Sequence, residues 1–367
     1  GSTLIAPTWK TLAVGGLGKG GKGFYAIDIT NPGDFTTEAS AAGKVLWEIS
    51  NTTPGFEHMG YSYGAPVMVK TAKYGWTLIL TSGYNNDDGN GYLFLVNPAT
   101  GALLDTISTG AAAPGMAQAS AFIGAYTDGT ADAVYAGDLN GQLWRFDLTA
   151  SGSSTYPAPQ LLFQTASPSG GAQPITVAPI PEVHPRTLER VVLFGTGKLL
   201  DGSDMAMSQV QSFYAVTDGD GKKFNTTVTS TLHRSDLVER TSLTSPVATM
   251  PTTARGWFYN LGTTDGTAWR TLLTAAAANG IAVFTSTLTN GGDGCSPSGS
   301  GRAYGVDFSN GSSVLQDPNN PNNVVESLSL SAIPTDNTVI SKDGETTGLA
   351  GDAAGNVVQL KLKSATV

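Results

Sequence analysis

The sequence predicts an all-β fold, specifically a seven-bladed β-propeller, on three observations. Charged residues make up only 13% of the 367, while glycine alone occurs 46 times. That balance builds short strands and tight turns, not amphipathic helices. A hairpin unit recurs along the chain at intervals of about 40 to 70 residues, the range of propeller blades with loop insertions. Each copy joins a strand of small apolar residues to an aromatic strand through a turn rich in Gly, Asn and Asp.

The clearest copy is ADAVYAGDLNGQLWRFD, from Ala131 to Asp147. AVYAG reads as one strand. Asn140-Gly141 supplies a strong hairpin signal. QLWRFD then alternates, with Leu143, Arg145 and Asp147 on one face and Trp144 and Phe146 on the other. Earlier copies run from Leu12 to Gly33 and from Leu78 to Gly101. Later ones run from Val191 to Gly221, Arg255 to Gly266, Ile281 to Gly311 and Thr346 to Lys363, the Arg255 copy showing only its second strand. Segments such as KVLWEIS (Lys44 to Ser50) and APVMVK (Ala65 to Lys70) supply further strands. A four-stranded blade cannot bury both faces alone, so blades must stack on one another. TLLTAAAANG (Thr271 to Gly280) is the one helix candidate and reads equally well as a strand and turn. Gly1-Ser2 reads as a cloning remnant, leaving 3–367 as one propeller domain whose targeting signal lies elsewhere.

The net charge of −9 argues against a nucleic-acid partner, which calls for clustered Lys and Arg. No apolar run approaches the ~18 residues of a membrane span. A single cysteine, Cys295, leaves no internal disulfide.

Motifs for chemistry are sparse. His58, His184 and His233 lie far apart with no paired metal spacing, and no HExxH occurs. GLGKGGKG (Gly16 to Gly23) has Gly23 where a phosphate loop needs Ser or Thr, so it reads as a hairpin loop. Asn85-Asn86-Asp87-Asp88-Gly89-Asn90 is an oxygen-rich loop that could hold a cation, or a polar turn whose residues tolerate positive φ. Glu57 to Tyr63, EHMGYSY, has the composition of a recognition surface or of inter-blade packing, and His184-Pro185-Arg186 with Glu182 and Glu189 could form a polar contact surface.

The ordered set GYNNDDGNGYLFLVNPATG, YAGDLNGQLWRFDL, GTGKLL with VQSFYAVTD, and RGWFYNL resembles the C-terminal propeller of the PilY/PilC family. These are tip-associated adhesin and biogenesis factors of bacterial type IV pili. The resemblance implies a modified, quinoprotein-like seven-bladed propeller at the cell surface or pilus tip of a Gram-negative bacterium. It implies a non-enzymatic role in pilus extension and retraction, twitching and surface attachment. Partners would be other pilus components (minor pilins, the N-terminal region of the same protein) and a host or abiotic surface. Members often carry a calcium loop before the YAGDL strand, with acidic residues at loop positions 1, 3, 5 and 9. Those positions here are Gly124, Tyr126, Asp128 and Asp132, so two of the four ligands are missing. Asp128 and Asp132 then make a degenerate, weak calcium site or a plain Asp-Gly turn.

FYAIDITNPG…GKVLWEIS (Phe24 to Ser50) also resembles the repeat of quinoprotein dehydrogenases, where the Trp docks between neighbouring blades; Trp47 takes that role. A quinone-dependent dehydrogenase is therefore the alternative. It would need a calcium ligand set and a catalytic Asp on the propeller axis, which the sequence does not assemble.

Overall fold

The computed structural model describes residues 9–124, 127–185, 187–218, 230–245, 250–293 and 296–364. Gly1, Ser2, Tyr126, Arg186 and Cys295 lie outside the described residues. The chain divides into two compact units. The first takes Gly1–Ala117, Ile123–Asp132 and Leu148–Ala158, and the second takes Gln118–Phe122, Ala133–Asp147 and Pro159–Val367.

The first unit holds two antiparallel meanders. One runs Leu12–Gly16, Gly23–Asp28, Val45–Ser50; the other runs Val67–Thr71, Gly75–Thr81, Asn90–Val96, Leu103–Ala112. Phe24, Trp47, Phe56, Leu80, Tyr92 and Phe94 form its core.

The second unit holds four sheets of three or more strands among the described residues. In the first of these, Ala133–Gly137 pairs with Gln142–Asp147, from Leu143 opposite Gly137 to Asp147 opposite Ala133. Ala119–Phe122 and Gln160–Gln164 flank that hairpin. The next is built on Arg190–Gly195, Ser212–Asp218 and Gly256–Asn260. The others are built on the long hairpin Ile281–Asp293 with Ser296–Asp307, and on Pro334–Lys342, Glu345–Asp352 and Val357–Lys361. Aromatic rings stack through the core, with Phe213 to Phe284 at 3.8 Å and Phe284 to Tyr304 at 4.5 Å between centroids.

Among the described residues, sheets of three or more strands number six, against the seven blades expected from the repeat. The difference lies in the copy from Arg255 to Gly266. Gly256–Asn260 pairs with Ser212–Asp218, so it extends the sheet of the preceding copy. Its own turn leads only to a two-residue ribbon, Thr263–Thr264 with Thr267–Ala268.

The helix candidate resolves as strand and turn. Ala276–Ala278 is a strand, and Asn279 and Gly280 both take positive φ before Ile281–Asp293 begins. The five-residue α-helix is Glu38–Ala42, in a stretch not expected to be helical. Thr37 and Ser40 cap each other there in a reciprocal box.

Trp47 docks as expected. Its indole Nε1–H donates to the Pro98 carbonyl at 2.9 Å, linking the two sheets of the first unit. Gly101, at φ +72°, lies under the ring, where a Cβ would sit 2.7 Å from Trp47 Cγ. The second unit repeats the device at the same spacing. Trp257 Nε1–H donates to the Phe308 carbonyl at 2.8 Å, and Gly311, at φ +74°, lies under its ring. In both, only glycine fits the conformation and the space.

Candidate functional site

Two polar regions in the first unit and one buried charge network in the second are the places where chemistry-bearing side chains gather.

The loop carrying Asp128 and Asp132 is closed on itself. One Asp128 carboxylate oxygen accepts from both the backbone N–H and the hydroxyl of Thr130, each at 2.9 Å. Those two bonds hold the Asp128 carboxyl below the usual range. Asp132 accepts from the Gly124 N–H at 2.9 Å. The Lys70 ammonium donates to the Asp128 carbonyl at 3.0 Å, so a positive charge already sits on one potential ligand oxygen. Calcium takes six to eight oxygens, several of them carboxylate. This loop offers two carboxylates, each with one oxygen engaged, and the described residues do not build that shell.

The second region joins two motifs 29 residues apart in sequence. The turn after the buried Phe56 presents His58, and the loop before strand Asn90–Val96 presents Asp87 and Asp88. His58 Nδ1 lies 2.8 Å from an Asp87 oxygen and 3.6 Å from an Asp88 oxygen. The imidazole stacks on Tyr92, with centroids 4.5 Å apart and planes within 2°. The bond to Asp87 raises the His58 pKa, against a smaller opposing effect of burial. Burial alone would raise the Asp88 carboxyl, but bonds from the Tyr92 hydroxyl and from Asn90 outweigh it and lower the pKa.

The loops are pinned by backbone contact. Tyr61 and Tyr84 form an isolated bridge, and Gly60 N–H donates to the Ser82 carbonyl at 2.7 Å. Gly83 takes φ +66° with no room for a Cβ beside the Tyr61 carbonyl. Lys22, from the glycine-rich hairpin loop, donates to the Asn85 carbonyl at 2.6 Å. That loop is thus a clamp on its neighbour, consistent with its failed phosphate spacing. The cluster is solvent-facing and internally bonded. Ligand atoms of His58, Asp87 and Asp88 all lie within 4.8 Å of one another, close enough to share a cation.

The third feature was invisible in the sequence. Asp218, 1% exposed, meets Arg145 at 3.2 Å, Arg190 at 3.5 Å and the Tyr135 hydroxyl. Arg190 also lies over the Phe122 ring at 3.8 Å. Four sheet strands contribute Tyr135, Arg145, Arg190 and Asp218, so the network fixes strand positions in the second unit. Tyr135 and Arg145 alternate with apolar neighbours, while Arg190 and Asp218 stand at strand ends, and nothing in the local pattern marks them as one group.

His184 and Glu189 face each other across a tight turn, the His184 N–H donating to the Glu189 carbonyl at 2.7 Å. His233 precedes a short 3-10 turn and is exposed. His58 belongs to the first unit, and His184 and His233 to the second.

Comparison with known proteins fits this picture. The chain is 29% identical over 364 aligned residues to the type IV pilus biogenesis factor PilY1 of Pseudomonas aeruginosa, covering 84% of this chain and 30% of that protein. It is 33% identical over 210 residues to a PilY1 homolog of Xylella fastidiosa, covering 57% of this chain and 16% of that protein. The chain thus spans less than a third of the length of these relatives. The crystal structure of the P. aeruginosa PilY1 C-terminal domain superposes with a TM-score of 0.77 at 23% identity, over 97% of this chain and 81% of that one. That likeness shows a shared fold. Residues 3–255 match the family model of the PilY1 beta-propeller domain, and the chain belongs to that family.

Proposed function

We propose that this domain is a non-enzymatic docking scaffold of a type IV pilus biogenesis factor, located at the cell surface or pilus tip. It engages other pilus components, namely minor pilins and the N-terminal region of its own protein. Through them it supports pilus extension and retraction and attachment to a host or abiotic surface. The observation that carries the reading is the family match over residues 3–255, on a scaffold of rigid sheets. The pinned loop pair around His58, Asp87 and Tyr63 supports it, since exposed polar and aromatic side chains on fixed backbone suit recognition.

Calcium contributes only a weak response, in the millimolar range, through Asp128 and Asp132. A cation there must compete with Lys70 for the Asp128 carbonyl.

Complementation tests the reading. In a piliated bacterium deleted for the encoding gene, the full protein is expected to restore surface pili and twitching. The same protein with the Trp257 dock broken by Gly311→Val is expected to restore neither. Full restoration by a protein lacking residues 3–367 would overturn the proposal.

A further inference from the structure

The second unit contains a cavity of about 390 Å³ lined by Arg255, Glu189, Thr217, Ser309 and Trp257, among others. Its volume falls in the range of small-molecule sites. Its most unusual occupant is Arg255. The Nε and Nη2 atoms of this guanidinium are both buried and both without a hydrogen-bond partner. Among the described residues it is the one guanidinium with two such nitrogens.

An arginine cannot relieve burial by losing its proton, so a desolvated, unpaired guanidinium edge is costly. Nε and Nη2 share one edge of the planar group, the edge that accepts a carboxylate with two parallel bonds. The position is also fixed from behind. The Arg255 N–H donates to the Asp236 carbonyl at 2.8 Å, and its carbonyl accepts from the Thr217 N–H at 2.9 Å. Gly256, at φ +125°, packs against the Ala215 carbonyl so tightly that no Cβ fits. A fixed backbone beneath an unpaired side-chain edge is how preorganised anion sites are built.

The same cavity carries a carboxylate of its own. Glu189 accepts from the Thr187 hydroxyl at 2.7 Å through one oxygen, leaving the other as an acceptor. An anion without a donor group would meet repulsion there. A carboxylate that also carries hydroxyls satisfies both, its carboxylate on Arg255 and a hydroxyl on Glu189.

We propose that this cavity is a binding site for a hydroxy-carboxylate, held by the Nε and Nη2 edge of Arg255. The inference is independent of any pilus role.

Melting curves of the purified domain test it, recorded in sodium lactate, sodium glucuronate, sodium acetate and sodium chloride at matched ionic strength. Ligand that binds only the folded state raises the melting temperature with concentration. A rise in lactate or glucuronate beyond that in acetate is expected, with chloride giving none. A response to glucuronate alone assigns a sugar acid; a response to both assigns the free hydroxy acid class. In Arg255→Met the rise is expected to vanish, while the ligand-free melting temperature increases because an unpaired buried charge is gone. Equal curves in all four salts, or a rise that survives Arg255→Met, would overturn the proposal. Nitrogen-detected NMR of the arginine side chains in the unmutated domain gives a readout that needs no variant. The Arg255 Nε–H signal should shift and exchange more slowly with lactate. A signal already slow in chloride and unmoved by lactate would mean that the edge is paired within this chain, and the site would fall.

Discussion

Two aspartate turns ten residues apart, at Asp128 and Asp138, use the same chemistry to opposite effect. Asp128 accepts from the N–H two residues on, and Asp138 from the Gln142 N–H at 2.9 Å. Asp128 is exposed, and its bonds lower the carboxyl pKa. Asp138 is fully buried, and burial outweighs similar bonds to push its carboxyl up to about 6. Asp138 also accepts from the Trp144 indole Nε1–H at 3.0 Å, so it orients a ring that is 5% exposed. The sequence motif is an acidic turn in both cases. Solvent decides that one closes a surface loop and the other anchors a core hairpin.

The comparison breaks first at Trp144. Trp144→Ala removes a buried indole and strands the Asp138 carboxylate, so a loss of about 3–5 kcal/mol is expected in denaturant melts. A loss below about 1 kcal/mol would place the ring outside the core.

The pH dependence sharpens the contrast. Asp138 has a folded pKa of about 6 against an ordinary 3.8, so between these values the folded state holds more of the proton. Its contribution therefore favours folding at low pH and is lost as pH rises through about 6, worth roughly 3 kcal/mol at full expression. Asp128 carries the opposite sign, since its lowered pKa favours folding above the ordinary value. Subtracting the stability profile of Asp138→Asn from that of the unmutated domain should isolate a fall between pH 4 and 6. A flat difference would mean that Asp138 is hydrated. Asp128→Ala is the smallest effect, within about 0.5 kcal/mol, as for exposed positions generally. A larger loss in urea melts would show that its turn is structural.

What was legible in the sequence follows from how local each cause is. The Asp138 hairpin was readable because Asn140-Gly141 fixes a turn and the strands alternate beside it. The Trp47 dock was readable from a repeat, yet its counterpart at Trp257 was not, although Gly101 and Gly311 stand at the same distance beyond their tryptophans. The Arg255 copy joins the sheet of the preceding copy, a pairing that one aromatic strand does not announce. The short helix at Glu38–Ala42 was hidden by its length and by Ser40 standing where a capping box usually has Glu or Gln. His58 meeting Asp87, the Asp218 network and the bare edge of Arg255 are all long-range outcomes of strand order. No pattern of period two or of turn residues encodes them.

The most direct test of the claim that solvent exposure has left the Asp128 loop a self-closed turn is a thermal melt. The domain would be heated in 1 mM calcium and again with chelator, alongside Asp128→Ala. Two carboxylates competing with Lys70 predict a rise no larger than about 1 °C, the shift for a ligand near its dissociation constant. A rise of several degrees in the unmutated domain, absent in Asp128→Ala, would contradict the account and restore a working calcium site.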